Sequence, residues 1–253
     1  MISKKRLKLI HSLEKKKYRN EEQLFVAEGH KLVGELCATM RPQYVVATEE
    51  WACSHADVMA RCESEVVTPD ELTRISLLRT PQQVLALFAI PHDDTNIADV
   101  ASTQLCIALD GVQDPGNIGT IVRVADWFGI RHIFCSHDTV DIYNPKATQA
   151  TMGALARVKV HYIDLPEQLA QAEAPVYGTH LDGENLYAKS LTQHGVIVMG
   201  NEGKGISPGV EALVGEKLYI PPYPADASTV ESLNVAIATA IVCGEFRRRS
   251  SPK

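Results

Sequence analysis

The strongest constraint on the fold lies beyond residue 104, where short apolar runs of strand length recur at intervals that leave room for a helix between them. Leu105–Leu109, His132–Cys135, Val158–Tyr162, Val176–Gly178, Val196–Met199 and Leu218–Ile220 read as strands. Helices fit at about 117–129, at 145–154 after Asn144-Pro145, at 166–172 and at 208–214. Apolar strands alternating with helices specify an α/β fold with a mostly parallel sheet covered on both faces. The last helix carries Leu233, Ala236, Ile237, Ala240, Ile241 and Gly244 at helical spacing, and Ser228-Thr229-Val230-Glu231 ahead of it fits a capping box.

The first part of the chain reads as a smaller α/β unit. A helix at 3–17 precedes apolar Leu24–Ala27, a helical stretch from about Glu28 to Met40, and strand-like Tyr44–Ala47. Thr68-Pro69-Asp70-Glu71 has the form of a capped helix start with proline at its first position, and Val84–Ile90 closes the unit as a strand. The polar, acidic stretch PHDDTNIADVAST suits a connection. The expected division is residues 1–95, a linker at 96–103, and a second domain over 104–253.

Composition narrows the function classes. The apolar runs are far shorter than the roughly 20 residues that cross a bilayer, and the basic start lacks an apolar signal core, so a soluble cytoplasmic protein is expected. Six cysteines without a CxxC pair read as reduced core thiols, and nine dispersed histidines give no basis for a metal site. A net charge of −6 argues against coating nucleic acid through bulk charge. The charge is unevenly spread, however. Lys4, Lys5, Arg6, Lys8, Lys15, Lys16, Lys17 and Arg19 crowd one end, and Arg247, Arg248, Arg249 and Lys253 the other, so both ends are candidates for phosphate contact or for a solvated helix face.

Three segments carry the candidate chemistry. DPGNIGTIVR places Asn117 at a helix start behind the strand Leu105–Leu109, with Arg123 on the same helix. MGNEGKGIS runs from a strand into Gly200, Asn201, Glu202 and Gly203, a loop whose glycines let backbone approach a flat ligand. It is not a Walker A loop, because the required spacing and the GK[ST] triplet are missing. ESLNVAIATAI puts Ser232 and Asn234 at the opening of the last helix. With Ser228 and Glu231 expected to cap that helix, neither has an evident structural duty. A nicotinamide-dependent oxidoreductase would need a GxGxxG turn and an acidic residue about 20 positions on, which GNIG does not supply.

Taken together, GNIG with a downstream arginine, GNEGxGI and a helix-opening SLN resemble the SpoU/TrmH family of the SPOUT superfamily of RNA 2′-O-ribose methyltransferases, over roughly residues 105–246. The N-terminal KLIHSLEKKKYRNEEQLFVAEGHKLV resembles that family's L30e-like substrate-binding domain. The resemblance implies an S-adenosylmethionine-dependent enzyme whose catalytic domain carries a C-terminal trefoil knot and works as a homodimer, where general topology rules lead to an unknotted sheet. It implies cofactor contacts around Thr179, His180, Leu181, Gly200, Asn201, Gly203, Ile220 and Leu233. It also implies catalytic roles for Asn117, Arg123, Glu202, Ser232 and Asn234, with no metal. Because guanidinium stays charged, Arg123 is expected to bind a phosphate and stabilise an alkoxide, reaching across the dimer, rather than act as a base. The stretch PYPADASTVE is longer than the loop expected there. The substrate class implied is structured RNA, ribosomal rather than transfer RNA. The alternatives are a transfer-RNA methyltransferase and a catalytically idle RNA-binding assembly factor.

Overall fold

The computed structural model describes residues 2–224 and 232–250. In chain order the first elements are α1 (Lys4–Ser12), α2 (Lys16–Glu22), β1 (Leu24–Glu28), α3 (His30–Cys37), β2 (Pro42–Ala47), α4 (Glu49–Ser54), α5 (Ala56–Met59), β3 (Glu63–Val66), α6 (Pro69–Ile75) and β4 (Val84–Ala89). There follow α7 (Ile97–Ala101), β5 (Leu105–Asp110), α8 (Pro115–Trp127), β6 (His132–Cys135), α9 (Pro145–Ala150), a 3-10 turn (Ala154–Ala156) and β7 (Lys159–Tyr162). The chain continues through α10 (Leu165–Leu169), β8 (Val176–Asn185), β9 (Gly195–Gly200), α11 (Pro208–Glu211), β10 (Glu216–Tyr219) and α12 (Val235–Ser250). All six strands expected beyond residue 104 are present. The chain forms two compact units, one comprising residues up to His92 together with Asp141–Arg157, the other Asp93–Val140 together with Val158 onward.

In the first unit the strands lie in the order β1-β4-β2-β3. β4 is antiparallel to both β1 and β2, and β3 runs parallel to β2. Ile10, Leu13, Val26, Tyr44, Val46, Ile75, Leu85 and Leu87 pack together as its core. The capping box at Thr68 forms as expected, with Thr68 accepting from the Glu71 amide, Glu71 reaching back, and Pro69 at the first helical position. The expected 3–17 helix is instead two helices, because Arg19 turns inward. Its guanidinium is buried, donates to the carbonyls of Leu13 (2.7 Å) and Glu14 (2.8 Å) at the end of α1, and pairs with Asp141 Oδ2 (2.6 Å). The orphan carbonyls of a helix end thus find a buried cation.

That pairing also explains why 141–157 joins the first unit rather than the second, where the sequence placed its helix. Tyr143 packs on Phe25 with ring centroids 4.9 Å apart, and Arg157 pairs with Glu35 at 2.5 Å. At Gly153 (φ 95°) a side chain would meet Glu35 at 2.7 Å. Nor are residues 96–103 a linker. Asn96 caps α7 by accepting from the Ala98 amide at 2.7 Å, and Ile97, Val100 and Ala101 are buried in the second unit's core with Ala108 and Val196.

The second unit holds six strands in the order β10-β8-β9-β5-β6-β7, every neighbouring pair parallel. Every residue of β5 is buried, as a strand covered on both faces requires. From β5 the chain steps outward through β6 and β7, then returns to build the other half, with β9 directly against β5. The strand order therefore reverses between β5 and β9, the place where open parallel sheets receive ligands at their C-terminal ends.

The last helix packs on α8, with Val242, Cys243 and Phe246 buried. Its arginines serve the fold. Arg247 Nε donates to the Phe128 carbonyl at 2.8 Å, and Arg249 to the carbonyls of Tyr187 (2.7 Å), Leu186 and Lys189. Hydrogen bonds from Arg248 and Arg249 hold the Glu245 carboxyl at about 2. Among the described residues no helix is long and apolar enough to cross a membrane. The expected capping box at 228–231 lies outside them.

Candidate functional site

The site is built at the C-terminal ends of β5, β9, β8 and β10. After β5, Asp114 caps α8 by accepting the Asn117 amide at 2.8 Å, with Pro115 at the first helical position. This fixes Asn117 on the first turn with its carboxamide facing two other segments. Its Nδ2 donates to Glu202 Oε1 at 2.8 Å, and its Oδ1 accepts from Asn234 Nδ2 at 2.9 Å. Glu202 further receives the amides of Gln113 (3.3 Å) and Asp114 (3.4 Å). Partial burial works to raise the Glu202 carboxyl, but the bonds from Asn117 and from backbone amides outweigh it and hold the group below its ordinary range.

The loop after β9 is shaped by Asn201. Its Oδ1 accepts the amides of Gly203 (2.9 Å) and Lys204 (3.0 Å), and its Nδ2 donates to the Gly111 carbonyl at 2.7 Å. Paired backbone bonds of 2.9 Å each join Asn201 and Gly205 across the turn. A side chain at Gly200 would lie 2.3 Å from the Gly205 carbonyl carbon, so only glycine fits this close approach. Asp110, buried at the end of β5, receives the Ser207 amide at 2.6 Å and closes the loop.

On the far side of β9, strand β8 leaves its ladder with β10. Lys217 pairs with Gly178 but Leu218 with Glu184, so residues 179–183 form a bulge within β8. They include Thr179, His180 and Leu181. His180 Nε2 is buried without a hydrogen-bond partner, and its Nδ1 lies 3.8 Å from Asp182 and 3.7 Å from Glu211. Half-buried Ile220 follows the end of β10, and exposed Leu233 precedes α12. Of the candidate residues, Thr179, His180 and Leu181 lie in the bulge of β8, Gly200 ends β9, and Asn201, Gly203 and Ile220 follow the ends of β9 and β10, three adjacent parallel strands.

Of the five candidates for catalysis, the structure joins three, Asn117, Glu202 and Asn234, into one hydrogen-bonded series. Asn234 does have a structural duty, contrary to expectation. Its Oδ1 accepts the amides of Ala236 (2.9 Å) and Ile237 (3.3 Å), so it caps α12, which begins one residue later. Ser232 is therefore ahead of the helix and exposed. Arg123 is exposed on α8, a third of a turn away from the face that holds Asn117, and makes no hydrogen bond or ion pair among the described residues. The anchors Asp110, Gln113 and Asp114 were missed as site residues. For Asp114 the signal was present, since Asp before Pro is a helix-start signature.

A parallel sheet whose switch point gathers a carboxamide–carboxylate series and a glycine loop defines an α/β protein built to take a ligand across β5, β9 and β8. A model of the SpoU rRNA methylase family matches residues 104–244, and one of the MRM3-like substrate binding domain matches residues 4–86. The chain belongs to the SpoU rRNA methylase family. It is 28% identical to the 23S rRNA (guanosine(2553)-2′-O)-methyltransferase RlmP of Bacillus subtilis over 239 residues, 93% of each chain. A structure assigned to RNA methyltransferases of the TrmH family, from Porphyromonas gingivalis, superposes with a TM-score of 0.88 at 41% identity, covering 98% of this chain and 99% of that one. An AdoMet-bound rRNA methyltransferase from Sinorhizobium meliloti superposes with a TM-score of 0.87 at 29% identity, covering 100% and 97%.

Proposed function

We propose that this chain transfers a methyl group from S-adenosylmethionine to a ribose 2′-hydroxyl of ribosomal RNA. The observation that carries the reading is the series Asn234–Asn117–Glu202 at the switch point of the sheet, with Glu202 in the glycine loop after β9. Support comes from the B. subtilis relative, whose name records 2′-O-methylation of 23S rRNA, and from the S. meliloti structure, which holds AdoMet.

The residues present fit that cofactor. An orphaned, buried His180 Nε2 lies in the bulge of β8, and the glycine loop admits a close backbone approach. Thr179, His180, Leu181, Gly200, Asn201, Gly203, Ile220 and Leu233 are the residues that would hold it. When bound, it supplies a methyl group on a cationic sulfur that departs as a neutral thioether. The chain's own task is positioning. Asn234 and Ser232 orient the attacking hydroxyl, and Asn117 keeps Asn234 in register. Glu202 is an orienting group rather than the proton acceptor, because its oxygens already receive Asn117 and two backbone amides. Arg123, always charged, binds the adjacent phosphate and stabilises the forming alkoxide, and the hydroxyl proton passes to solvent water.

The reading includes a homodimer in which Arg123 serves the partner's site. Beside it, Trp127 one turn on is 86% exposed and Ile237 on the packed helix α12 is 53% exposed, apolar surface that a second copy would cover. It also includes the trefoil knot implied by the resemblance, for which the insertion of β9 between β5 and β8 is the supporting feature. The first unit grips the RNA, and a ribosomal substrate makes the protein cytoplasmic.

The test is transfer of labelled methyl from S-adenosylmethionine to unmodified ribosomal and transfer RNA, comparing the protein with Asn234→Ala. Alkali-resistant label in ribosomal RNA, lost with the variant, is the expected result. Label in transfer RNA alone would redirect the substrate, and cofactor binding without any transfer would favour an idle assembly factor.

A further inference from the structure

The first unit carries a cleft of about 750 Å³ that none of the residues discussed so far explains, a size typical of small-ligand sites. Its floor includes Thr48, immediately ahead of α4. A threonine at that position ordinarily turns its hydroxyl to cap the helix. Here Thr48 makes no such bond, is 9% exposed, and its Oγ1 has no hydrogen-bond partner. Its backbone amide is fixed instead on the Gln83 carbonyl at 2.9 Å. A buried hydroxyl left without a partner costs stability unless something entering the cleft supplies one.

The remaining walls say what that something is. Pro69, Pro81 and Val67 offer flat apolar surface, and no lysine or arginine lines the cleft. The polar rim carries the carboxylates of Glu49 and Glu50 beside the imidazole of His30, the hydroxyl of Thr73 and the carboxamides of Gln82 and Gln83. Gln83 Nε2 donates to Glu50 Oε2 at 2.9 Å, which orients that carboxylate and leaves Oε1 open. Glu49 has no partner among the described residues. A planar ligand that presents N–H donors to a carboxylate and an acceptor to the Thr48 hydroxyl matches the two groups left without partners, Glu49 and Thr48.

We infer that this cleft binds a single unpaired guanine of the RNA, distinct from the nucleotide that is methylated. Among the four bases only guanine shows two adjacent donors, N1–H and the exocyclic amine, that a carboxylate accepts side by side, while its O6 and N7 accept from a hydroxyl. Adenine and cytosine place a ring acceptor beside their amine, which faces the carboxylate unfavourably. Uracil flanks its one imino donor with carbonyls. Splayed bases of single-stranded segments are recognised in this way, by a flat contact and hydrogen bonds to the base edge.

The inference rests on RNA being the substrate, and the experiment separates the two. The full chain is titrated with GMP, AMP, CMP, UMP and IMP while the indole N–H signals of its two tryptophans are followed by NMR. Trp51 follows Glu50 and its Nε1 is buried without a partner; Trp127 belongs to the other unit. GMP is expected to move the Trp51 signal at concentrations that leave Trp127 unmoved. It should bind about fivefold or more tighter than AMP, CMP or UMP, with IMP, which lacks the amine, in between. Glu49→Gln and Glu50→Gln, both at exposed positions, and Thr48→Val should each weaken GMP binding by about two- to tenfold. Equal shifts with all nucleotides, no shift of Trp51 with GMP, or normal GMP binding by the folded variants would overturn the inference. Methyl transfer to RNA is measured on the same samples. Transfer without selective GMP binding sinks the guanine cleft alone, and selective binding without transfer sinks the enzymatic reading alone.

Discussion

Asn117 donates one hydrogen bond and accepts another, which makes Asn117→Asp an informative perturbation of this site. The substitution preserves shape and keeps the acceptor for Asn234, but it replaces the donor facing Glu202 Oε1 at 2.8 Å with a second carboxylate oxygen. Two unit charges at that distance repel by about 1.5 kcal/mol in water and about 6 kcal/mol at an effective dielectric near 20. Glu202 is exposed and Asn117 half-buried, so the lower part of that range applies, about 2 kcal/mol beyond the loss of the hydrogen bond itself. Asn117→Ala loses both the bond to Glu202 and the one from Asn234, without the repulsion, and should cost about 1–2 kcal/mol. The pH dependence distinguishes the two. Like-charge repulsion raises the folded-state pKa of the carboxylate pair above its unfolded value, so the folded state binds a proton more tightly and the penalty is relieved as pH falls toward 5. Urea unfolding followed by circular dichroism at pH 7.5 and pH 5 should show Asn117→Asp less stable than Asn117→Ala at the higher pH and the gap closing at the lower. Adding Glu202→Gln to Asn117→Asp should recover most of the loss at pH 7.5. Equal stability of the two single variants at both pH values, or no recovery in the double variant, would refute the role assigned to this pair.

Three further outcomes are expected. Gly200→Ala would drive a methyl group into the backbone of Gly205 and Ile206, which cannot yield without breaking the Asn201 turn, so S-adenosylmethionine binding measured by calorimetry should fall at least tenfold. Arg19→Met should cost about 3–5 kcal/mol in urea unfolding by leaving Asp141 buried without its cation, and pairing it with Asp141→Leu should recover much of that. Glu28 is buried, and burial raises its carboxyl against the lowering bonds from Ser76 and the Leu77 amide. Its ionised form therefore weakens the fold above its folded pKa, and the weakening is relieved as pH falls to that value. Glu28→Gln should remove this component of the pH dependence between pH 7 and pH 4.5, which thermal unfolding across that interval would reveal.

Much of the second unit was legible because its strands are continuous apolar runs, a pattern that survives without knowledge of neighbours. Local chemistry was equally readable where it closes on itself, as in the Thr68–Glu71 box. What escaped depended on distant partners. Nothing near Arg19 shows that its guanidinium would leave a basic cluster for Asp141, and nothing near Pro145 shows that the helix it opens would serve the first unit. The acidic look of residues 91–103 hid a short helix whose apolar positions, Ile97, Val100 and Ala101, carry the periodic signal. The strand β3 has the burial of a sheet edge, only partial, and its residues Glu63–Val66 present no apolar run to find. In the site, the motif residues Asn117, Glu202 and Asn234 were found as residue types, but the order in which they bond, and the capping duty of Asn234, required the fold.

The excursion of Asp141–Arg157 into the first unit has a consequence for how such a chain is made. During synthesis the first 92 residues emerge long before the segment that carries the partner of Arg19, so the amino-terminal unit cannot reach its final packing until β5, α8 and β6 have also been translated. Its maturation is thereby tied to a half-finished methyltransferase sheet. The same connectivity means that neither unit is a contiguous cassette, and a recombination event that exchanged only the leading 95 residues would transfer a domain lacking its own last helix.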